Sequence, residues 1–370
     1  MKKHVLTFAV MVMGTTLFTA CNNDDDEQHG TFPVAVSNGI FMVCSGNSSQ
    51  SIDGSLSYYN YVTQAGTVDV FKDNNGRSLG QTPNDALCYG EKLYIVVSGE
   101  HKVFVANAKT MKVQHTIDMT ELMGEEDGVN PRRIAADNGN IYVSTYGGYV
   151  AAIDTVDFEL QKKYKAGSYP EGIAVANGYL YVANSDYGNG NASISIINLQ
   201  TGTDTPIMNE NIRNPQDIVT AGSDIYFLDY GQYDENWNQK NAGVYRVRSS
   251  EVTAVIPNAT MMAAAGYYIY TINAPYGGDA TSYSIFDIRT ASSRQLTPAD
   301  IDSPAAIGVD PISGEVAIAS YKLNGGYADW AANGYVNIYD SNVTTKKTTF
   351  TCGVGPQRFV YNIGIDIVSY

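Results

Sequence analysis

Short apolar runs alternate with polar residues along most of the chain, and turns rich in glycine and asparagine separate them. The run from Ser193 to Ile197 has the two-residue period of a strand that buries one face. Asn138-Gly139 and Asn177-Gly178 each lie between two such runs, where this dipeptide favours the positive φ of a tight hairpin. The pattern therefore predicts an all-β chain of short antiparallel strands, and it does not fit helical repeats.

These strands belong to an internal repeat. Each unit starts with an apolar strand, usually opened by proline, and a tyrosine follows eleven positions later in the second strand. Further copies start at Pro304 and Pro356, so the units recur at intervals of roughly 45 residues. The five aligned segments start at Pro83, Pro131, Pro170, Pro215 and Ala259, and their tyrosines are Tyr94, Tyr142, Tyr181, Tyr226 and Tyr270.

Four short strands at this spacing are typical of a blade of a β-propeller. The segment Gly39 to Val43 resembles the second strand of a unit, and Gly355 to Tyr361 resembles a first strand. We therefore expect a seven-bladed β-propeller that is closed by pairing of its N- and C-terminal strands, which leaves no open edge. Eight blades are the alternative, because residues 363–370 have no assigned place in this scheme.

The N-terminus predicts export. Two lysines precede an apolar stretch that runs to Ala20, as in a secretory signal peptide. Leu17 to Cys21 resembles a bacterial lipobox, which implies that Cys21 is lipidated and anchors the protein to a membrane. An ordinary signal peptide or an uncleaved anchor helix are the alternatives. The predicted division is a signal peptide at 1–20, a tether at 21–31 and the propeller at 32–370.

The tether is acidic. Asp24 to Glu27 is a run of four acids that cannot pack, so we expect it to be solvated. It also resembles the export signal that follows the lipidated cysteine in surface lipoproteins of Bacteroidetes. The resemblance implies a location on the outer membrane, facing the cell exterior. The alternative is a plain spacer on a periplasmic lipoprotein.

Composition narrows the choice of partners. The chain has 38 acidic and 23 basic residues, a net charge of −15 and no basic cluster, which argues against a nucleic-acid partner. Four histidines and four cysteines offer little material for a zinc site. Cys44, Cys88 and Cys352 remain beyond Cys21, and this odd number favours buried free thiols over one disulfide with a spare thiol.

A candidate binding face emerges from the loops between the second and third strands. These loops differ greatly in length, from 98–101 to 228–242, and binding commonly resides in variable loops on a rigid scaffold. They hold both tryptophans and many tyrosines and asparagines, which suit a neutral, bulky, hydrogen-bonding ligand such as a glycan or a corrinoid. The tyrosines could instead pack between blades. The predicted contacts are Trp237, Trp330, Tyr146, Tyr187, Tyr230, Tyr233, Tyr276, Tyr321, Tyr327, Asn184 and His101.

A second candidate set follows the proline of each unit, where the first strand starts. These residues should ring the mouth of a central channel, and their alternative role is plain solvated lining. Arg132, Gln216 and Arg358 are predicted ligand contacts. The wider set comprises Asn84, Asp85, Arg133, Glu171, Asp217 and Gln357.

Motifs for catalysis are sparse. The sequence has no G-x-S-x-G elbow, no H-E-x-x-H and no phosphate-binding glycine loop. We therefore expect no catalytic residues, no metal and no cofactor. The Asp/Asn runs at 186–191 and 234–236 leave a calcium site as an open alternative.

Tyr181 to Asn184, followed by Ile194 to Asn198, resembles the YVTN-type propeller repeat. Together with Cys21, the acidic run and the aromatic face, the chain resembles the BtuG-type cobalamin-binding lipoproteins of Bacteroidetes. That resemblance implies capture of cobalamin (vitamin B12) as a ligand, and its transfer to a TonB-dependent outer-membrane transporter. His101 could then approach the cobalt. The alternatives are a glycan-binding or adhesion module on the same face, and a propeller hydrolase or lyase.

Overall fold

Short antiparallel strands make up nearly all the regular structure of the computed structural model, which describes residues 31–275 and 281–369. Two short helices, α1 (Val70–Asn75) and α2 (Met119–Met123), lie in connections between strands. Single 3₁₀ turns span Ser48–Gln50, Ser98–Glu100 and Asp186–Gly188. No described helix is both long and apolar enough to cross a membrane. The predicted lipidation site Cys21 lies outside the described residues.

The strands of the first half of the chain belong to four sheets, which are numbered in chain order. Sheet 1 contains β1 (Thr31–Cys44), β2 (Ser55–Asn60) and β3 (Ala65–Thr67). Sheet 2 contains β4 (Pro83–Tyr89), β5 (Lys92–Val97), β6 (Lys102–Asn107) and β7 (Val113–Asp118). Sheet 3 contains β8 (Pro131–Asp137), β9 (Asn140–Thr145), β10 (Tyr149–Asp154) and β11 (Leu160–Lys165). Sheet 4 contains β12 (Pro170–Ala176), β13 (Tyr179–Asn184) and β14 (Ser193–Asn198).

The second half adds three sheets and two small ribbons. Sheet 5 contains β15 (Pro215–Ala221) and β16 (Asp224–Asp229), and after the ribbon β17 (Gln232–Tyr233) and β18 (Gln239–Lys240) come β19 (Gly243–Arg248) and β20 (Glu251–Pro257). Sheet 6 contains β21 (Met261–Ala265), β22 (Tyr268–Asn273), β23 (Ser282–Asp287) and β24 (Ser292–Leu296). Sheet 7 contains β25 (Ser303–Val309), β26 (Val316–Tyr321), β29 (Tyr335–Tyr339) and β30 (Lys346–Thr351), with the ribbon β27 (Leu323–Asn324) and β28 (Tyr327–Ala328) between them.

The last strand, β31 (Pro356–Ser369), completes sheet 1 beside β1, so the two ends of the chain meet in one sheet. The backbone amides of Ser45 and Gly46 donate to the carbonyls of Gly355 and Val354 at 2.7 and 3.0 Å. Residues 35–365 form one compact unit that contains these contacts. The described residues 31–34 and 366–369 belong to a second unit and are the outer ends of β1 and β31.

Each sheet buries both faces, because alternate residues of its strands enter two different hydrophobic clusters. Phe41 and Val43 of β1 pack towards sheet 2, whereas Ile40 and Met42 pack towards sheet 7. Seven such clusters join sheet 1 to 2, 2 to 3, and onwards until the last one joins sheet 7 back to sheet 1. The sheets of this unit therefore follow one another in a closed cyclic order.

The repeated tyrosines belong to these clusters. Tyr94, Tyr142, Tyr226 and Tyr270 are buried between sheets, and Tyr181 is half-buried. The eleven-residue spacing is thus a packing signal: it places an aromatic ring on the same side of the second strand in each unit. These five tyrosines serve the fold and not a binding surface.

Replacing Tyr94 by phenylalanine is expected to stabilise the protein. The Tyr94 hydroxyl is buried and has no hydrogen-bond partner among the described residues, and an unpaired buried hydroxyl carries a desolvation cost. Tyr94→Phe should raise the free energy of unfolding by about 1 kcal/mol in urea denaturation. The control is Tyr339→Phe, since the Tyr339 hydroxyl donates to the Ala299 carbonyl and its loss should cost about 1 kcal/mol. Equal destabilisation by both variants would contradict the assignment.

Alkaline pH should weaken the fold. Burial raises the pKa of Tyr94, Tyr142, Tyr321 and Tyr339 to about 12, above the usual value of 10.0. Between these two values the unfolded chain releases protons that the folded chain retains, so stability falls as the pH rises. The urea midpoint should be constant below about pH 9 and fall between pH 10 and 12. An unchanged midpoint across that window would contradict the burial of these phenols.

The three described cysteines are free thiols, which is the first of the two possibilities left open by the sequence. Cys44 and Cys352 are buried in the cluster between sheets 7 and 1, and Cys88 is half-buried. Burial raises the pKa of the Cys88 thiol to about 12. The Cys88 thiol is therefore protonated at neutral pH.

Candidate functional site

The first strands of five sheets carry a β-bulge directly after their proline. In β8, Arg132 and Arg133 both lie opposite Ser144, whose hydroxyl accepts the Arg133 amide at 3.0 Å. A bulge breaks the alternation of the strand and redirects the side chains at its end. The polar residues after four of these prolines are thereby brought to one end of the sheets. The register shifts lie at Pro83/Asp85, Pro131/Ile134, Pro170/Ile173, Pro215/Asp217 and Pro304/Ala306.

Arg358 shows that these strand starts face a common centre. It leaves β31 of sheet 1, and its Nε lies 3.3 Å from Asp85 Oδ1 of sheet 2. Its Nη1 donates to Asp217 of sheet 5, which is not adjacent to sheet 1 in the cyclic order. A single side chain can join such sheets only across the middle of the ring. The prediction that the residues after the prolines surround a central space is thus consistent with this contact.

A second ion pair joins two neighbouring sheets at the same end. Arg132 and Glu171 form a bidentate pair between sheets 3 and 4, with Nε–Oε2 at 2.9 Å and Nη2–Oε1 at 3.1 Å. The Tyr146 hydroxyl also donates to Glu171, and the Arg132 guanidinium lies 4.6 Å above the Tyr146 ring. We name the following set the central polar cluster: Asn84, Asp85, Arg132, Arg133, Glu171, Asp217, Gln357 and Arg358.

The charges of the central polar cluster are arranged as three arginines and three carboxylates. Burial lowers the pKa of Arg358, but Asp217 and Asp85 outweigh this effect and hold its pKa above the ordinary value. Burial raises the pKa of Tyr146 well beyond its usual range, and the negative charge of Glu171 raises it further. Asp85, Asp217 and Glu171 are thus held by arginines as acceptors of hydrogen bonds.

Exposed and half-buried aromatic side chains lie around this centre, in the loops after the second strands and, for Tyr169, directly before a first strand. Their ring contacts form three groups. Tyr146, Tyr169 and Tyr187 form one group, with centroids 4.2–5.4 Å apart. Tyr321 contacts Trp330 at 4.4 Å, and Tyr233 contacts Trp237 at 6.3 Å.

The long loops that carry the tryptophans fold back as the two small ribbons. Asp234 Oδ1 accepts the amides of Asn236 and Asn238 at 2.9 Å, which places Trp237 at the ribbon tip with a φ of 63°. Trp237 and Trp330 are 68% and 58% exposed, although large apolar side chains are seldom left in water. Tyr327, in the second ribbon, is 81% exposed. The loop face therefore presents ordered but uncovered aromatic surface.

Two cavities open on this face. One, of about 450 Å³, lies between the loops of sheets 4 and 5 and is lined by Met208, Arg213 and Gln232. The other, of about 410 Å³, lies where sheets 7 and 1 meet and is lined by Asn47 and Trp330. Cavities of about 520 and 530 Å³ lie at the opposite ends of the strands, so volume alone does not distinguish the loop face.

Two of the predicted ligand contacts, Asn184 and His101, are not exposed in the structure. Asn184 is fully buried, and its amide bonds the Gly167 amide and the Ser193 and Ser195 hydroxyls at 3.0 Å. It therefore fastens the loop from inside, and its prediction as a surface contact is corrected. His101 is half-buried, and its Nδ1 accepts the Asn130 amide at 3.0 Å.

Other predicted residues keep their place near the centre. Gln216 is half-buried, and its Nε2 donates to Asn214 Oδ1 at 2.6 Å. Tyr230 is half-buried, and the charges of Arg133, Asp217 and Glu171 act on its pKa, which burial raises. Tyr276 lies outside the described residues. Among the residues that the structure does describe, no group of three or more His, Cys, Asp or Glu could hold a metal ion.

Two residues of the face were missed by the sequence analysis. Tyr169 joins Tyr146 and Tyr187, and the Tyr-Pro dipeptide before β12 marks its position at the start of a first strand. Asn47 fixes the second tryptophan, because its Nδ2 donates to the Trp330 carbonyl at 2.9 Å. No signal in the sequence links Asn47 to a residue 283 positions away.

Comparisons with known proteins agree with the fold. Residues 38–353 match the model of a family described as a domain of unknown function (DUF5074). No curated protein matches the chain. Hydrazine synthase of Kuenenia stuttgartiensis is similar with a TM-score of 0.52 and 18% identity, over 70% of this chain and 76% of that chain. The computationally designed Ika8 protein has a TM-score of 0.49 and 8% identity, over 74% and 88%. The likeness to the synthase shows a propeller-like β fold alone.

Proposed function

The chain belongs to the DUF5074 family, and we propose its function from the loop face. The protein is proposed to be a seven-bladed β-propeller lipoprotein that captures cobalamin or a related corrinoid. It would be anchored through Cys21 on the outer membrane, facing the cell exterior. It would pass its ligand to a TonB-dependent outer-membrane transporter. The cyclic order of seven sheets supports the blade count.

The observation that carries the proposal is the ordered aromatic surface around a polar centre. Trp237, Trp330 and Tyr187 are each more than half exposed, and each contacts another aromatic ring. Such rings offer rigid apolar area at low conformational cost. A corrin ring is broad and apolar, with amide groups at its rim, so it matches rings that surround amides, hydroxyls and arginines. A polar metabolite without an apolar surface would leave the exposed rings without contacts.

Isothermal titration calorimetry with cyanocobalamin tests the proposed ligand. The full chain should bind one equivalent with a Kd below about 1 μM. A flat titration at micromolar concentrations would rule out the corrinoid proposal. A cyanocobalamin-loaded sample mixed with a purified TonB-dependent transporter would then test the transfer step separately.

A glycan-binding module on the same face is the second candidate. Tyr327 and Trp237 are the most exposed rings of the face, and they lie at the tips of two ribbons. Projecting aromatic rings next to asparagines also suit stacking on sugar rings. A glycan array with the purified protein distinguishes the candidates, since a corrinoid receptor should give no dose-dependent signal there.

A further inference from the structure

Arg133 differs from the other two arginines of the central polar cluster. Arg132 forms an ion pair with Glu171, and Arg358 forms ion pairs with both Asp85 and Asp217. Arg133 has no carboxylate within 4.0 Å among the described residues. Its Nη1 donates to the Asn84 carbonyl at 2.9 Å, and its Nε is buried without a partner. Arg133 is therefore the arginine of the cluster that makes no direct ion pair among the described residues.

Asn84 presents a second donor beside this arginine. It is 2% exposed, and its Oδ1 accepts from Gln357 Nε2 at 3.1 Å. This contact fixes the orientation of the amide, so its Nδ2 is left as a donor, and this atom is also buried without a partner. Few buried polar groups lack a partner in native proteins, and two such donors on residues that are hydrogen-bonded to each other call for an acceptor.

The unmet groups specify the chemistry of that acceptor. Both are N–H donors and one of them is cationic, so an anionic oxygen satisfies them better than a neutral carbonyl does. Arginine forms its strongest hydrogen bonds with phosphate and carboxylate oxygens. The three arginines and three carboxylates of the cluster balance and the chain as a whole carries a net charge of −15, so an anion binds here only if it accepts the direct hydrogen bonds of Arg133 and Asn84.

We propose that Arg133 and Asn84 form an anion site at the centre of the loop face that binds the phosphate group of the ligand. The inference rests on the proposed function, because it assigns to this site the phosphodiester of cobalamin. A free phosphate ion has the same chemistry and is the other possible source of the anion.

The test compares cyanocobalamin by calorimetry with dicyanocobinamide, which lacks the phosphodiester together with the ribose and the base, so the change in preference caused by Arg133→Met is what reports the phosphate contact. Wild-type protein should bind cyanocobalamin roughly 30-fold more tightly than dicyanocobinamide. Arg133→Met keeps the length of the side chain and removes its charge, so it should abolish this preference and leave dicyanocobinamide binding within about threefold. Arg133→Lys keeps the charge without the planar fork and should retain part of the preference. Arg246→Met, which removes an arginine that faces Asp224, is the control and should match the wild type.

The outcomes separate the inference from the proposed function. If wild type binds both corrinoids equally, or if Arg133→Met weakens both equally, the anion site is wrong while corrinoid capture stands. If wild type binds neither corrinoid, the proposed function fails and inorganic phosphate decides the remaining question. Phosphate at about 10 mM should then raise the thermal midpoint of wild type and not of Arg133→Met, relative to sodium chloride at matched ionic strength. A phosphate-induced shift of the thermal midpoint that is equal in wild type and Arg133→Met would overturn the anion site.

Discussion

Simultaneous replacement of Trp237 and Trp330 by alanine is expected to weaken cyanocobalamin binding by about a hundredfold. Each tryptophan is more than half exposed and contacts a tyrosine, so its removal takes away contact area without opening a core cavity. Aromatic side chains that are buried on binding commonly contribute more than about 1 kcal/mol each, and about 1.4 kcal/mol from each tryptophan gives the hundredfold loss. Calorimetry on both single variants and the double variant gives the size of each contribution.

The matched control lies at the opposite ends of the strands. Tyr267 is 47% exposed in the turn before β22, so Tyr267→Ala removes a comparable aromatic surface from the other face. We expect its affinity for cyanocobalamin to equal that of the wild type, and the thermal midpoint of the double tryptophan variant to be unchanged. A double variant that binds within threefold of wild type would refute the choice of face.

Loss of Arg358 is expected to destabilise the fold by about 3 kcal/mol. Arg358→Met would leave Asp85 and Asp217, whose side chains are 4% and 9% exposed, without their shared counter-charge. Breaking a buried ion pair by removing one partner is costly because it leaves an uncompensated charge. Each carboxylate retains one or more backbone amide donors, so the expected loss of stability is at the low end of the range for breaking a buried ion pair.

Replacing Arg358, Asp85 and Asp217 together by neutral side chains of similar shape separates the effect of their charge on stability from the effect of their shape. The triple variant Arg358→Met, Asp85→Asn, Asp217→Asn should recover most of the stability lost by Arg358→Met, as measured by urea denaturation at pH 7. Arg289→Met breaks an exposed pair with Asp287 and should leave the denaturation midpoint unchanged. A single Arg358→Met variant as stable as the wild type would show that Arg358 does not hold the centre together.

The repeat made much of the fold predictable from the sequence. Pro131 and Tyr142 are the ends of one aligned segment, and the structure places them in β8 and β9 of the same sheet. The alternation at Ser193 to Ile197 likewise lies in β14. Such signals are local, because strand period and turn chemistry depend on residues that are close in the chain.

The candidate site was harder to predict because its contacts depend on the ring as a whole. Arg358 and Asp217 are 141 positions apart and meet only across the centre. Asn184 looked like a loop residue because it ends β13, but the bonds that its amide makes to Ser193 and Ser195 bury it. The lack of a partner for Arg133 is visible only once the other two arginines have been paired.

Tryptophan fluorescence during titration with cyanocobalamin tests both the ligand and the face in one measurement. The chain has 2 tryptophans, and both lie in the ribbon loops of the proposed face. A corrinoid bound there should quench their emission saturably with a stoichiometry of one, after correction for absorption by the ligand. Emission that does not change beyond this correction, at concentrations where calorimetry shows binding, would place the corrinoid elsewhere on the protein and contradict the proposed site.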